Sequence, residues 1–139
     1  MSELSWNATK QQVYGHAKGC CEYCQTSEEN NGQAMHVDHI DPQGGDNLEN
    51  LCLACWNCNS YKHKATEAID PDTGLLIALF NPRTQIWTEH FEWFGGATQI
   101  KGLTPTGRAT VERLKMNRPR MIIARQRWVN SGYHPPKLK

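Results

Sequence analysis

The chain has 139 residues, six of them cysteine, and a formal net charge of +1 at pH 7. This length suits one domain, or a compact core with an extension. The chain begins without a signal-peptide pattern and contains no apolar run that could cross a bilayer, so we expect a soluble, cytoplasmic protein without a membrane partner. In that setting thiols stay reduced, and clustered cysteines indicate metal binding more often than disulfides.

The small net charge hides a strong polarity along the chain. Residues 101–139 contain ten Lys or Arg and one acid, whereas the first 100 residues contain five bases and thirteen acids. Basic side chains that neutralise phosphates release condensed counterions, so this distribution favours a docked nucleic acid over a merely solvated charged surface. The candidate nucleic-acid-binding residues of this segment are Arg108, Arg113, Arg118, Arg120, Arg125 and Arg127.

The first half of the chain predicts the order helix, strand, strand, helix. Asn7 can cap a helix over residues 7–18, which contain good helix formers. A strand over 34–40 ends at a Pro- and Gly-rich turn, and a second strand over 48–54 leads into a helix from 56 to about 66.

Three apolar, β-branched and aromatic stretches follow a dense turn signal at 70–74. The stretches cover residues 75–80, 86–94 and 97–101. They predict a short three-stranded antiparallel meander. Trp87, Phe91 and Trp93 would share one strand face, where we interpret them as packed core aromatics rather than base-stacking side chains.

Two helices are predicted to close the chain. Thr104 can cap a helix that has Pro105 at its first position and extends to about residue 117, and Pro119 can open another that extends to residue 130. The predicted fold class is α+β, with a core over residues 1–68 and a C-terminal extension over 69–139 packed on that core.

Two CxxC pairs separated by 30 residues predict a zinc site, since four thiolates satisfy tetrahedral Zn²⁺. The pairs are Cys21-x-x-Cys24 and Cys55-x-x-Cys58. Four thiolates leave no open position for water, so this zinc would be structural. The spacing favours Cys21 over Cys20, and Cys52 falls within an apolar strand, where a thiol behaves as a small hydrophobe.

Further motifs lie between and after these pairs. They are Asp38-His39-Ile40, a Gly-Gly turn, Asn50-Leu51, and Cys58-Asn59-x-x-Lys62. In this order, over about residues 20–64, the sequence resembles the HNH endonuclease family. The resemblance implies a small ββα-metal core stapled by the zinc site, and metal-dependent hydrolysis of DNA phosphodiester bonds.

The resemblance also assigns roles to residues. Asp38 and Asn59 would supply oxygen ligands to one catalytic Mg²⁺ or Mn²⁺, and His63, on the same helix face as Asn59, is an additional candidate ligand. His39 would be the general base that takes the proton of the attacking water. Asn50 would pin the loop that bears His39.

Lys62 and the nature of the substrate leave alternatives open. Lys62 is equally well a phosphate contact or a solvated surface lysine. The leading hypothesis is an endonuclease acting on double-stranded DNA, and the alternatives are a zinc-stabilised DNA-binding module without catalysis and an RNA-directed nuclease. One active site cuts one strand, so double-strand cleavage requires a dimer or two successive nicks, and the sequence favours neither.

Overall fold

The computed structural model describes residues 5–137 and is of the α+β class, with helices and small antiparallel strand pairs. The helices are α1 (Trp6–Ala17), α2 (Glu28–Asn31), α3 (Trp56–Lys62), α4 (Trp87–His90), α5 (Pro105–Arg113) and α6 (Pro119–Asn130). The strands are β1 (His36–His39), β2 (Leu51–Ala54), β3 (Glu67–Ile69), β4 (Leu76–Ala78), β5 (Phe91–Phe94) and β6 (Gln99–Gly102). None of the helices in this part of the chain is long and apolar enough to cross a membrane.

The predicted order of strand, strand and helix is confirmed by β1, β2 and α3. The antiparallel pair places Asp38 opposite Cys52, and every residue of β2 is buried. The second strand begins later than predicted because Leu48–Asn50 form a turn of 3-10 helix. Helix α3 ends at Lys62 rather than near residue 66, since the chain then enters β3.

Helix α1 covers the outside of this core through the buried side chain of Val13. Its cap is Ser5 and not Asn7, because the Ser5 hydroxyl accepts a 3.1 Å hydrogen bond from the Ala8 amide. The helix ends at Lys18, which adopts a left-handed conformation.

The predicted three-stranded meander is wrong. Strand β4 pairs with β3, for which the sequence predicted no strand, and within residues 5–137 β5 pairs with β6 rather than with β4. Between these two sheets Trp87 lies in the short helix α4 instead of a strand. The prediction that the aromatic residues pack together is confirmed, since the Trp87 ring centroid lies 5.2 Å from that of Phe91 and 5.6 Å from that of Trp93.

Helices α5 and α6 follow the sequence signals closely. The Thr104 hydroxyl caps α5 by accepting a 3.0 Å hydrogen bond from the Gly107 amide, and α6 spans the predicted residues. Helix α5 is shorter than predicted and ends at Arg113. It packs very closely on β6 and α4 because Gly107 has no side chain. A Cβ atom at this position would lie 2.0 Å from the His90 carbonyl oxygen.

The second half of the chain contacts the first through polar bonds. Trp87 Nε1 donates a 2.8 Å hydrogen bond to the Tyr23 carbonyl, and Arg83 forms an ion pair with Glu22. Glu22 in turn accepts a 2.7 Å hydrogen bond from the Leu53 amide of β2. The predicted boundary between residues 68 and 69 lies inside β3, so strand pairing continues across it.

Candidate active site

The four cysteines of the two CxxC pairs converge in the core. All four are buried, and their sulfur atoms lie within 4.8 Å of one another. The Cys24 and Cys55 sulfurs are 3.7 Å apart, which matches the spacing of about 3.8 Å that tetrahedral Zn–S bonds impose. The cluster is therefore compatible with structural zinc, which would be bound by Cys21, Cys24, Cys55 and Cys58.

Each pair forms a knuckle, which we call the first (residues 21–24) and the second (residues 55–58). The Cys24 amide points at the Cys21 sulfur at 3.5 Å, and the Cys58 amide points at the Cys55 sulfur at 3.4 Å. Amide hydrogen bonds stabilise thiolates, which are the form that binds metal. In the second knuckle Cys55 also caps α3, so the start of this helix is fixed by the cluster.

The two remaining cysteines lie outside the cluster, as the sequence predicts. Cys20 is half-buried and contacts the Lys18 carbonyl at 3.8 Å. Cys52 is buried on β2, where its sulfur lies 3.4 Å from the Tyr23 hydroxyl. Burial raises the pKa of the Cys52 thiol, so this residue stays protonated at neutral pH.

The motif residues of β1 and α3 border one open cleft of about 230 Å³. The residues that line the cleft are Val37, Asp38, His39, Pro42, Asn59, His63 and Lys64. Residues far apart in the sequence meet here because β1 ends beside the C-terminal part of α3.

Asp38 lies at the floor of the cleft with 5% of its surface exposed. Its Oδ2 atom accepts a 3.0 Å hydrogen bond from the Tyr23 hydroxyl and lies 3.2 Å from Lys62 Nζ. The Cys52 sulfur approaches the same oxygen at 3.8 Å. No residue in the described part of the chain donates a hydrogen bond to Oδ1, so one oxygen is held by the protein while the other has no protein donor.

His39 also lines the cleft and is partly exposed. Its Nε2 atom lies 2.7 Å from Asp46 Oδ1, and the Trp6 ring stacks on the imidazole at 8° with centroids 6.4 Å apart. The backbone carbonyl of His39 accepts a 3.1 Å hydrogen bond from Lys62 Nζ. The ring and backbone of His39 are therefore both held in place.

The side chain of Asn50 fastens the loop that follows His39. Its Oδ1 atom accepts a 2.9 Å hydrogen bond from the Asp41 amide, while Nδ2 donates to the carbonyls of Asp41 and Gly45 at 2.9 and 2.8 Å. Gly44 is required for this approach, since a Cβ atom there would lie 2.7 Å from Asn50 Nδ2.

The donors that face the cleft suit a divalent cation such as Mg²⁺ or Mn²⁺. Asp38 supplies a carboxylate oxygen, Asn59 an amide oxygen, and His63 an imidazole nitrogen. His63 caps the end of α3 with a φ of 52°, so the helix stops where its side chain borders the cleft. Within residues 5–137 only the four cysteines bring three or more His, Cys, Asp or Glu ligand atoms together, so the cleft offers an incomplete ligand shell.

Lys62 is buried, so neither of the two roles considered from the sequence, a phosphate contact or a solvated surface lysine, fits its position. Both a phosphate contact and a solvated lysine need an exposed ammonium group, but Lys62 is 1% exposed. Its stem is buried and its charge is paired with Asp38. A buried cation requires such a partner, which an isolated sequence does not reveal.

Two of the six arginines expected to bind nucleic acid instead form hydrogen bonds within the protein. Arg125 is 0% exposed and donates to the Thr98 and Met116 carbonyls at 2.9 and 2.7 Å. Arg108 forms a bidentate pair with the buried Asp70, both bonds being 2.9 Å, and this pairing lowers the pKa of Asp70 to about 2. Both arginines therefore stabilise the fold of the extension.

Of the other four arginines, three are exposed and Arg118 is half-buried. Arg113, Arg120 and Arg127 are exposed, and the Arg118 guanidinium lies 5.3 Å from the centroid of the Tyr61 ring. Arg113 also approaches the Lys62 carbonyl at 3.5 Å. Arg113 and Arg118 thus lie against α3, the helix that carries the cleft residue Asn59.

A knuckle-bearing β1–β2–α3 core places Asp38, His39 and Asn59 on one cleft. Residues 21–65 match the HNH endonuclease family model. This HNH segment includes both knuckles and all the residues that line the cleft, and it indicates a nuclease-type function that acts on nucleic acid. Among curated proteins and solved structures, none matches the chain significantly.

Three side chains of the site were not found from the sequence. Tyr23 lies inside the first knuckle, Asp46 follows the Gly-Gly turn, and Trp6 opens α1. Their contacts with Asp38 and His39 join segments of the chain that local patterns do not relate. The position of Tyr23 between two cysteines of a CxxC pair is a sequence signal for its burial.

Proposed function

We propose that this protein is a metal-dependent endonuclease that hydrolyses DNA phosphodiester bonds at the cleft of the HNH segment. The observation that carries the proposal is the convergence of Asp38, His39 and Asn59 on one cleft. A carboxylate, an imidazole and an amide together supply a metal ligand, a general base and a second oxygen donor.

His39 is the general base of the proposed reaction. In the neutral tautomer in which Nε2–H donates a hydrogen bond to Asp46, the free lone pair is on Nδ1, which can accept a proton from water. Stacking on Trp6 limits rotation of the ring. The hydrogen bond from Lys62 to the His39 carbonyl fixes the backbone beneath it.

Asp38, Asn59 and His63 would hold the catalytic cation. When bound, a divalent metal acts as a Lewis acid that offsets charge on the scissile phosphate and the leaving oxygen. Asn50 acts at a distance by holding the loop over residues 41–45, so that His39 keeps its place at the cleft.

Three exposed arginines and the half-buried Arg118 provide the electrostatic surface for DNA. Arg113 and Arg118 lie against α3, and Arg120 and Arg127 extend the positive charge along α6. Phosphate neutralisation by such residues makes binding strongly salt-dependent. The proposed substrate is double-stranded DNA.

The decisive experiment is cleavage of supercoiled plasmid by the wild type, His39→Ala and His36→Ala, with Mg²⁺ or Mn²⁺ and with EDTA. His36 is a matched control because it is an exposed histidine of the same strand that does not border the cleft. We expect metal-dependent nicking by the wild type and His36→Ala, and a loss of about 10²–10⁴-fold in His39→Ala.

Binding measured on the same plasmid separates the possible failures. If His39→Ala retains salt-dependent DNA binding but does not cut, the proposal holds. Equal cleavage by His39→Ala and the wild type would refute the role of His39, and binding without cleavage by any variant would identify a DNA-binding module instead.

A further inference from the structure

Lys62 and Asp38 form a buried ion pair, so the carboxylate of the cleft has its own counter-ion in the protein. The Lys62 ammonium and Asp38 Oδ2 are 3.2 Å apart, and their side chains are 1% and 6% exposed. Lys62 does not line the cleft, so it contacts the carboxylate from the protein side. Charges in such a buried setting are weakly screened by solvent and interact strongly.

This pairing offsets the negative charge that Asp38 brings to the cation site. Asp38 is the one carboxylate that lines the cleft, and the other two donors, Asn59 and His63, are neutral when they bind a cation. Since Lys62 offsets the charge of Asp38, the protein attracts a divalent cation mainly through dipoles and one shared carboxylate. Such a site binds hard cations weakly until further negative oxygens arrive.

We propose that Lys62 is a positioning residue and counter-ion for Asp38, and that it makes retention of the divalent cation depend on a bound nucleic-acid phosphate. This inference rests on the proposed function for the identity of the substrate. The phosphate supplies the missing negative charge, and the cation enters the cleft together with DNA. The Tyr23 hydroxyl and Lys62 keep Oδ2 engaged, so the carboxylate presents Oδ1 to the cleft in both states.

Thermodynamic linkage gives the proposal a second consequence. If DNA raises the affinity for the cation, the cation must raise the affinity for DNA by the same factor. Removal of Lys62 leaves Asp38 as a buried charge without its counter-ion, so the cation becomes the counter-ion and binds more tightly without DNA.

The test is a titration of the full chain with Mn²⁺, followed by electron paramagnetic resonance of the free ion. Lys62→Met and Lys64→Met are compared, since Lys64 is an exposed lysine that lines the same cleft and has no bond to Asp38 in the described residues. We expect Lys62→Met to bind Mn²⁺ about ten-fold more tightly than the wild type. The change in Lys64→Met should stay within about three-fold, because solvent screens its charge.

A second titration uses His39→Ala, in which a short DNA duplex stays intact, with and without that duplex. We expect the duplex to tighten Mn²⁺ binding by about ten-fold or more, and Mn²⁺ to tighten duplex binding equally. Asp38→Asn in the same background corrects for Mn²⁺ bound by DNA alone. This arm remains decisive if Lys62→Met does not fold.

The inference is overturned if Mn²⁺ binds equally well with and without the duplex, or if folded Lys62→Met binds no more tightly than Lys64→Met. These outcomes are separate from the failure of the proposed function. A chain that couples Mn²⁺ to DNA but never cuts plasmid contradicts only the nuclease proposal, whereas a chain that cuts but binds Mn²⁺ independently of DNA contradicts only the role of Lys62.

Discussion

The Tyr23 hydroxyl donates a 3.0 Å hydrogen bond to Asp38 Oδ2 and thereby joins the first knuckle to the floor of the cleft. Tyr23 is fully buried, and burial together with the neighbouring Cys52 and Asp38 raises the pKa of its hydroxyl, which stays protonated and acts as a donor. The first knuckle and the candidate catalytic carboxylate are therefore linked through one buried side chain.

Tyr23→Phe should lower cleavage as well as stability. The variant keeps the ring but leaves Asp38 with one donor fewer, which we expect to cost about 1–2 kcal/mol of unfolding free energy and about ten-fold in cleavage rate. Tyr14→Phe is the control, since the Tyr14 hydroxyl donates a comparable 2.9 Å bond to the Met35 carbonyl. Urea unfolding and plasmid cleavage measure both variants, and equal loss of cleavage in the two would contradict the link to Asp38.

Loss of the cysteine cluster should unfold the core. Cys58→Ser removes one of four sulfur ligands and the thiol that neighbours the start of α3, so we expect loss of bound zinc and a large fall in Tm. Cys20→Ser should leave both unchanged because its sulfur lies outside the cluster. Metal content and thermal unfolding followed by circular dichroism distinguish them, and zinc retained by Cys58→Ser would contradict the assignment.

Substitution of Arg125 should lower the stability of the protein much more than substitution of Arg127, although both lie on α6. Arg125→Met removes a buried cation that bonds two carbonyls, so we expect a loss of about 2–4 kcal/mol of unfolding free energy. Arg127 is exposed, and Arg127→Met should stay within about 0.5 kcal/mol. Urea titration of both variants tests this, and equal stabilities would show that Arg125 carries no structural role.

Gly44→Ala should damage the loop beside His39. The added Cβ would meet Asn50 Nδ2 at 2.7 Å, so Asn50 must move and loosen its bonds to the loop. We expect reduced cleavage with a modest loss of stability. Gly15→Ala is the matched control, because a Cβ there meets nothing within 4 Å inside α1 and should stabilise the helix by up to about 1 kcal/mol. Plasmid cleavage by Gly44→Ala at the wild-type rate would contradict the role of the loop.

The buried His134 should make stability fall in mild acid. Burial lowers its pKa from 6.5, with Arg125 contributing, so the unfolded chain binds the proton more readily than the folded one. The contribution of neutral His134 to the free energy of unfolding is complete above the pKa that this residue has in the unfolded chain. This contribution decreases as the pH falls below that pKa. Urea unfolding between about pH 7.5 and 5.5 should show a flatter pH dependence for His134→Gln than for the wild type or for His36→Gln. Identical slopes would contradict the assignment.

The sequence by itself determined the features that depend on local spacing. Two CxxC pairs identified the four-cysteine cluster, because the spacing within each knuckle is a property of a few consecutive residues. Proline at the first helical position located the start of α6. The knuckle and proline signals survive folding because each is complete within one short segment. Asp38, His39 and Asn59 were named through the resemblance to the HNH family, and the fold brings them to one cleft.

The tertiary structure decided which residues are buried and which strands pair. Strand β4 had the same apolar pattern whether it paired with β3 or with β5, and only the packing of distant residues selects the partner. Likewise Lys62 and Arg125 look like surface cations in the sequence, and both are buried because Asp38 and backbone carbonyls from other segments meet them. Burial and pairing depend on residues far apart in the chain, so a local pattern cannot specify them.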